Sequence, residues 1–143
     1  MSTTTDLTEL TINVLSKAQY DSATKNENEL YLTPGMEDIS SMFTFGGAWT
    51  GLIKKAYRVG KLVFFHLEAS VSGYQANYNY TMCTIASGYR PLWNTVFYGY
   101  TTDGSYNPKS IISARSAIDG NIIVNAQNTT GTYFFVTGFY ETT

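Results

Sequence analysis

The side chains best suited to acid–base chemistry in this sequence are its single histidine, His66, and the carboxylate two residues later, Glu68. A catalytic histidine needs an orienting carboxylate and a nucleophile beside it, and the sequence offers only the carboxylate. The chain has no Gly-x-Ser-x-Gly motif, no phosphate-binding glycine loop and no His/Cys/Asp spacing typical of a metal site. The sequence therefore favours a structural or surface histidine and predicts no enzyme activity, no metal and no cofactor.

Two aromatic stretches, residues 74–79 and 98–103, combine tyrosines with amide and carboxylate groups. Sugars present apolar C–H faces between hydroxyl groups, so a sugar site pairs an aromatic platform with a few hydrogen-bonding side chains. The candidate glycan-binding residues are Tyr74, Asn77, Tyr78, Tyr98, Tyr100 and Asp103. The alternative is that these tyrosines fill an interface between subunits or cover the ends of the domain, and the sequence leaves both possibilities open.

Asp103 and Asp119 each precede a glycine. In an Asp-Gly turn the carboxylate caps its own backbone, so these residues are poor candidates for a pair of glycosidase acids.

The composition favours binding over catalysis. The chain has 143 residues and a net charge of −2, and 15% of its residues are aromatic, among them twelve tyrosines. Its basic residues cluster only at 54–61, which is typical of a solvated hairpin edge and predicts no nucleic-acid surface. The single Cys83 cannot form a disulfide within the chain. The start of the sequence has no apolar run, so we expect synthesis in the cytosol without a secretion signal or membrane insertion.

The strands that must position these groups are organised around residues 57–91. Residues 62–71 alternate with a period of two, which predicts a strand with one core face. That face consists of Val63, Phe65, Leu67, Ala69 and Val71. Residues 52–59 are its predicted partner, and residues 59–61 form the tip of the hairpin.

Further strands are predicted at 80–85, 109–115, 121–126 and 132–140, with Asp119-Gly120 as the strongest hairpin signal. Pro91 limits the segment after it to an edge or a turn, so residues 98–106 are expected to leave an edge segment as a loop. Seven or eight short strands predict an all-β, antiparallel β-sandwich. If its strands are antiparallel, the loops at 72–79 and 98–106 can lie at one end.

Residues 1–35 form a separate small unit by sequence. A Ser-x-x-Gln capping box at 16–19 predicts a short helix, and a short strand follows at 29–33. The unit has too few apolar groups to bury a core alone and must contact something else. A brief alternating run that begins at Met42 stops at the glycine pair 46–47, so residues 36–50 are predicted to hold a linker and the first strand of the main domain. The bounds are 36–48 for the linker and 49–143 for the main domain. Trp49 either plugs the end of that domain or stacks on a sugar, and the plug is favoured.

The N-terminal unit resembles a module of tail, fibre and baseplate proteins of tailed bacteriophages. The resemblance lies in residues 15–23 and 28–32, which read as a capped helix ending in Tyr-Asp, a turn with asparagine and a Leu-Tyr strand.

The main domain is similar to the receptor-binding heads of the same phage proteins. The shared features are Trp-Thr-Gly at 49–51, a basic strand with Arg-x-Gly at 55–63, a Gly-Tyr-Arg-Pro turn at 88–91 and the segment 119–124. The family often has Leu-Pro before that turn, whereas this chain has Ile-Ala-Ser at 85–87. The turn is therefore expected to differ in detail.

The resemblance implies a jelly-roll-like β-sandwich head that assembles as a homotrimer. The excess of aromatic groups on both faces of residues 133–135 points the same way, because one core cannot bury both. The resemblance to phage proteins further implies a non-enzymatic virion protein, assembled in the host cytoplasm. Its head, on a tail fibre or baseplate, would recognise host cell-surface polysaccharide. The N-terminal unit would then join the head to other virion proteins.

The sequence leaves two other functions open. The chain could be a capsid head fibre or decoration protein without a dedicated receptor. It could also be a small tail-associated enzyme that degrades polysaccharide, although the lack of paired acids argues against this.

Overall fold

A computed structural model of the chain describes residues 11–14, 21–24, 29–32 and 35–143. The chain divides into two compact units, Met1–Glu37 and Asp38–Thr143. In the described part of the chain, no helix is long and apolar enough to cross a membrane.

The first unit contains two short parallel strands, β1 (Thr11–Val14) and β2 (Glu29–Leu32). Strand β2 confirms the strand predicted at 29–33, and β1 was not predicted. Asp21 and Ser22 are helical. The capping box predicted at 16–19 lies outside the described residues.

The second sheet has nine antiparallel strands and is curled into a half-barrel, and all of it except the first two residues of one edge strand (Met36–Asp38) belongs to the second unit. Its strands are β3 (Met36–Asp38), β4 (Phe43–Phe45), β5 (Thr50–Val59), β6 (Leu62–Ser70), β7 (Asn79–Ile85), β8 (Thr95–Thr102), β9 (Pro108–Ser116), β10 (Asn121–Ala126) and β11 (Tyr133–Glu141). They lie side by side in the order β3-β5-β6-β11-β8-β9-β10-β7-β4. The all-β, antiparallel class is therefore confirmed.

The predicted hairpin of β5 and β6 is present. Val59 pairs with Leu62, and Gly60 has the positive φ of +59° that this tight turn needs. The five residues of the predicted core face of β6 are all buried. The hairpin predicted at Asp119-Gly120 is also present, since β9 and β10 pair on either side of it.

Aromatic side chains join distant parts of the sheet across the core. The Phe65 ring of β6 lies 5.0 Å from Phe97 of β8 and 5.9 Å from Phe43 of β4, between ring centroids. The Trp49 ring packs edge-on against Phe134 at 4.9 Å. Trp49 is therefore a packing residue, as the favoured interpretation predicted.

The main domain begins earlier than residue 49. Strand β4 lies on the alternating run that predicted a first strand, and Phe43 in it is buried. The remainder of the expected linker holds the other edge strand, β3, and the buried side chain of Ile39. Strand β3 has only three residues, which is too short for a period-two pattern to show.

Strand β8 corrects a second expectation. Residues 98–106 were expected as a loop leaving an edge, but β8 lies between β11 and β9 inside the sheet. Pro91 does not prevent this, because it is in the turn before β8, where it forms an isolated bridge with Thr142.

The register places two connections at one end of the sheet, here called the loop end. Ser70 at the end of β6 pairs with Tyr133, and Tyr133 in turn pairs with Thr102 at the end of β8. The connections after these strands, 71–78 and 103–107, therefore start at the same end. The prediction that the two connections can lie at one end is therefore confirmed. Two of the candidate residues, Tyr98 and Tyr100, are in strand β8 and not in these connections.

Candidate functional site

Tyr74 is a core residue. Its side chain is only 8% exposed, and its ring packs edge-on against Phe134 at 5.0 Å between centroids. Its hydroxyl donates a hydrogen bond to the backbone carbonyl of Gly131, which ties two loops together. Burial raises the pKa of this hydroxyl. Tyr74 was predicted to bind a ligand, but in this structure its ring is enclosed by the protein and is not accessible for stacking on a sugar.

Asn77 and Tyr78 lie at the loop end, as predicted. Asn77 has a left-handed backbone, with φ of 57°, and its N–H donates to the Ala126 carbonyl at 2.8 Å. Tyr78 is exposed and its ring lies 5.1 Å from that of Tyr80. Asn77 thus sets the turn, and the Tyr78 ring is accessible to a ligand.

Tyr98 and Tyr100 are strand residues on the outer face of β8. The Tyr98 side chain is 74% exposed. The Tyr100 ring stacks on Phe135 of β11 at 5.0 Å with an interplanar angle of 8°. Phe135 in turn contacts Tyr106, 6.1 Å away between centroids. The two tyrosines face solvent from the side of the sheet and not from its loop end.

Asp103 is engaged within its own turn. Its carboxylate accepts hydrogen bonds from the N–H groups of Ser105 at 2.9 Å and Asn107 at 3.1 Å, and it pairs with Lys109 at 2.8 Å. The Lys109 ammonium, followed by these backbone donors, holds the pKa of Asp103 well below its usual range. Asp103 shapes the turn, as its Asp-Gly sequence predicted, and its acceptor groups are already used.

A row of polar side chains runs across the outer face beside Tyr98. The register pairs Tyr98 with Ser113, Ser113 with Asn125, and Asn125 with Asn79, on four neighbouring strands. Asn125 Nδ2 donates to Asn79 Oδ1 at 3.0 Å. We call these four residues the polar strip.

A shallow pocket of about 120 Å³ lies along the polar strip. Its lining residues are Asn79, Val96, Ser113, Ala114, Arg115, Ile123 and Asn125. The pocket thus combines amide and hydroxyl groups with a guanidinium, next to the exposed ring of Tyr98. Three members of the strip were not among the predicted site residues, because only the register brings them together.

A second feature of the outer face is apolar. Strands β8 and β11 pair only from Tyr133 opposite Thr102 to Val136 opposite Gly99. Beyond Val136, a groove of about 590 Å³ lies between them and extends over β6 and β5. Its outer walls are Tyr57, Phe64, Val96 and Phe139. We call these four residues, with the neighbouring Val59 and Leu62, the apolar face.

His66 and Thr137 line this groove, and a chain of hydrogen bonds joins Glu68, His66 and Thr137. His66 Nε2 is 2.8 Å from Glu68 Oε1, and Nδ1 is 2.7 Å from Thr137 Oγ1. Because a carboxylate only accepts, Nε2 is the donor, and Nδ1 of the neutral ring accepts from the Thr137 hydroxyl. The order carboxylate, imidazole, hydroxyl is that of a hydrolase triad, but the ring nitrogens are exchanged, since a triad places Nδ1 toward the carboxylate and Nε2 toward the hydroxyl.

Thr137 is also the residue directly opposite His66 in the pairing of β6 and β11. A hydrogen bond between opposite side chains stabilises a strand pair without any catalytic role. We therefore interpret the three residues as a cross-strand link, and the absence of enzyme activity stays a prediction.

The remaining chemistry of the described residues is sparse. They contain no group of three or more His, Cys, Asp or Glu side chains that could hold a metal ion. Cys83 is fully buried, and desolvation raises the pKa of its thiol to about 12. A thiol in this state is a poor nucleophile at neutral pH.

Comparison with known proteins adds no family to this picture: no family model matches the chain, and no curated protein matches it. The function must therefore be argued from the surface itself.

Proposed function

We propose that this chain is a non-enzymatic structural protein of a tailed phage or a related phage-tail-like particle. In this proposal the Asp38–Thr143 unit is the receptor-binding head of a tail fibre or baseplate, and it recognises a host surface glycan. The N-terminal unit joins the head to other virion proteins, and the heads assemble as homotrimers on the virion. The resemblance of residues 49–63 and 88–91 to phage heads supports the assignment to a virion.

The jelly-roll-like sandwich of such heads is part of the proposal. Strands β6 and β4 are far apart in the order of the sheet, yet Phe65 and Phe43 pack against each other across the core. This contact supports a head in which the two halves of the curled sheet face each other as layers.

The observation that carries glycan recognition is the polar strip. Tyr98 offers a flat apolar ring, on which the C–H face of a sugar can stack, and Ser113, Asn125 and Asn79 offer hydrogen-bonding groups in line with it. The strip crosses three strand spacings, a length of about 14 Å. A surface of this length and chemistry suits a short stretch of a polysaccharide. The exposed ring of Tyr78 is a second contact, from the loop end.

This function predicts that Tyr98→Ala weakens glycan binding about tenfold, which corresponds to about 1.4 kcal/mol for the loss of a stacking aromatic. The measurement is adsorption of the purified protein to host cells, followed by titration with the isolated surface polysaccharide. The stability of the variant should not change, because the Tyr98 ring is largely in solvent.

Trp93→Ala is the matched control, since Trp93 is also an exposed aromatic but lies in the segment before β8. The proposal fails if both variants bind like the unmodified protein. It also fails if the protein releases reducing ends from the polysaccharide, which would make it an enzyme.

A further inference from the structure

We infer that the apolar face is the surface through which three copies of this chain meet. The inference rests on the homotrimer of the proposed function and assigns it a location. Outward positions of a solvated sheet are normally polar, and here they are apolar on four neighbouring strands. The members of the apolar face are Tyr57 and Val59 on β5, Leu62 and Phe64 on β6, Phe139 on β11 and Val96 on β8.

The apolar residues form continuous rows. Tyr57 is opposite Phe64, and Phe64 is opposite Phe139, whose ring lies 6.1 Å away between centroids. Val59 is likewise opposite Leu62. Phe64 and Phe139 are 45% and 61% exposed, so these rows are not covered by the part of the chain that the structure describes.

The size of this face fits a subunit interface. Five of its six residues are 43–64% exposed, which amounts to roughly 450 Å² of accessible surface if a complete side chain counts for about 150–250 Å². A standard interface buries about 800 Å² on each partner, of which somewhat more than half is apolar. The apolar face therefore supplies about the apolar area of one such interface.

The charges beside the face fit a second copy of the same chain. Lys55 lies opposite His66, and Glu68 pairs with His66 within the same molecule. Arg115 lies opposite Val96 and Glu141 lies opposite Leu62, so charges of both signs border the apolar rows, and neighbouring copies meet without a net like charge. A polysaccharide needs hydrogen-bonding groups, which are concentrated on the polar strip and not here.

A cyclic arrangement of copies covers the apolar face of every subunit. The short strands β3 and β4 lie at the two edges of the sheet, with three residues each.

The test is the mass of Phe139→Asp compared with Ile111→Asp. Ile111 is 65% exposed on β9, outside the apolar face, and receives the same charge. By light scattering at micromolar concentration, the unmodified protein and Ile111→Asp should have three times the 15.9 kDa mass of the chain. Phe139→Asp should have the mass of one chain, with a cooperative melting transition that shows it is folded.

Hydroxyl-radical footprinting of the unmodified protein keeps the inference testable if Phe139→Asp does not fold. Phe64 and Phe139 should be protected from oxidation, whereas Tyr98 and Trp93 should react. A trimer with reactive Phe64 and Phe139, or a trimeric Phe139→Asp, would show that the interface lies elsewhere on the chain. The homotrimer itself would not be contradicted. A monomeric unmodified protein would overturn both.

Discussion

Tyrosine side chains in this protein have very different roles that depend on which face of the sheet they occupy. Tyr74 is enclosed, with its hydroxyl bonded to the Gly131 carbonyl, while Tyr98 faces solvent from a strand that alternates inward and outward. The residue type is the same, and only burial separates a packing group from a candidate ligand platform. For this reason tyrosine content alone predicts a binding protein without identifying the binding residues.

At the residue scale, Asp103 makes the stability of the head depend on pH. Its pKa is lowered in the folded state, chiefly by Lys109, relative to about 3.9 for an unfolded aspartate. The carboxylate therefore stabilises the fold at pH values above the unfolded pKa. This stabilisation is lost as the pH falls through the lower, folded pKa.

We expect Asp103→Asn to lower the melting temperature at pH 7 and to have little effect at strongly acidic pH. Asparagine keeps an oxygen for the Ser105 and Asn107 N–H groups, so the variant removes mainly the charge. Melting curves between pH 2 and 7 measure the difference. Lys109→Met, which removes the partner, should reduce the same pH-dependent difference. A deficit of equal size at pH 2 and pH 7 would show that Asp103 acts only through its shape.

At the scale of elements, the β9–β10 hairpin depends on the conformation of a single glycine. Gly120 has a φ of +92°, and a Cβ placed there would lie 2.7 Å from the backbone carbonyl oxygen of Ile85. Gly60, in the β5–β6 turn, also has a positive φ, but a Cβ there would meet nothing within 4 Å. A comparison of the two turns therefore separates the cost of backbone strain, which is present at both glycines, from the cost of a steric contact, which is present only at Gly120.

We predict that Gly60→Ala costs about 1 kcal/mol of unfolding free energy, since it introduces only left-handed strain. Gly120→Ala should cost at least ~2 kcal/mol, because backbone at Ile85 must also move. Urea denaturation of the two variants gives the comparison. Equal losses of unfolding free energy in the two variants would mean that the backbone at Ile85, the last residue of β7, moves aside without cost.

The elements that the sequence predicts well are those with long alternation and a clear turn. Residues 62–71, which include β6, show five apolar residues at a period of two, and Asp119-Gly120 marks the β9–β10 turn, so both hairpins are present where expected. Strand β8 was missed, because Gly99 interrupts its alternation and Pro91 suggested an edge. A Cβ placed at Gly99 would collide with the Phe135 carbonyl oxygen, which shows why this strand needs a glycine, and that reason depends on its neighbour in the sheet.

The candidate site could be predicted only in part for the same reason. Tyr98 was identified from its type, whereas Ser113, Asn125 and Asn79 come beside it through pairings of strands far apart in sequence. The burial of Tyr74 likewise depends on Phe134, which is distant in the chain. Local patterns contain no information about such partners.

At the scale of the whole molecule, the two proposed surfaces have separate tasks. The polar strip lies over β8, β9, β10 and β7, and most of the apolar face lies over β5, β6 and β11. The two surfaces meet at Val96, but the four residues of the polar strip lie outside the apolar face, so we expect a trimer joined through that face to leave three strips available for binding. Three sites on one particle raise the apparent affinity for a repetitive surface without any new contact.

We expect monomeric Phe139→Asp to bind a soluble oligosaccharide as tightly, per site, as the unmodified protein. Its adsorption to whole cells should weaken by at least about a hundredfold, because avidity is lost. Calorimetry with the oligosaccharide and cell adsorption assays measure the two quantities. If the variant also loses affinity for the soluble oligosaccharide, the glycan site spans the subunit boundary.

The position of β11 in the sheet has a consequence for how the head is made. This strand is the last of the head in sequence, yet it lies between β6 and β8 and joins the two halves of the sheet. During synthesis, β6 and β8 leave the ribosome without their common neighbour, and their apolar faces stay uncovered until it arrives. The head therefore cannot close until Glu141 has emerged, and such distant pairings fold slowly, on the order of milliseconds to seconds. Chains interrupted before β11 would expose the interior and aggregate.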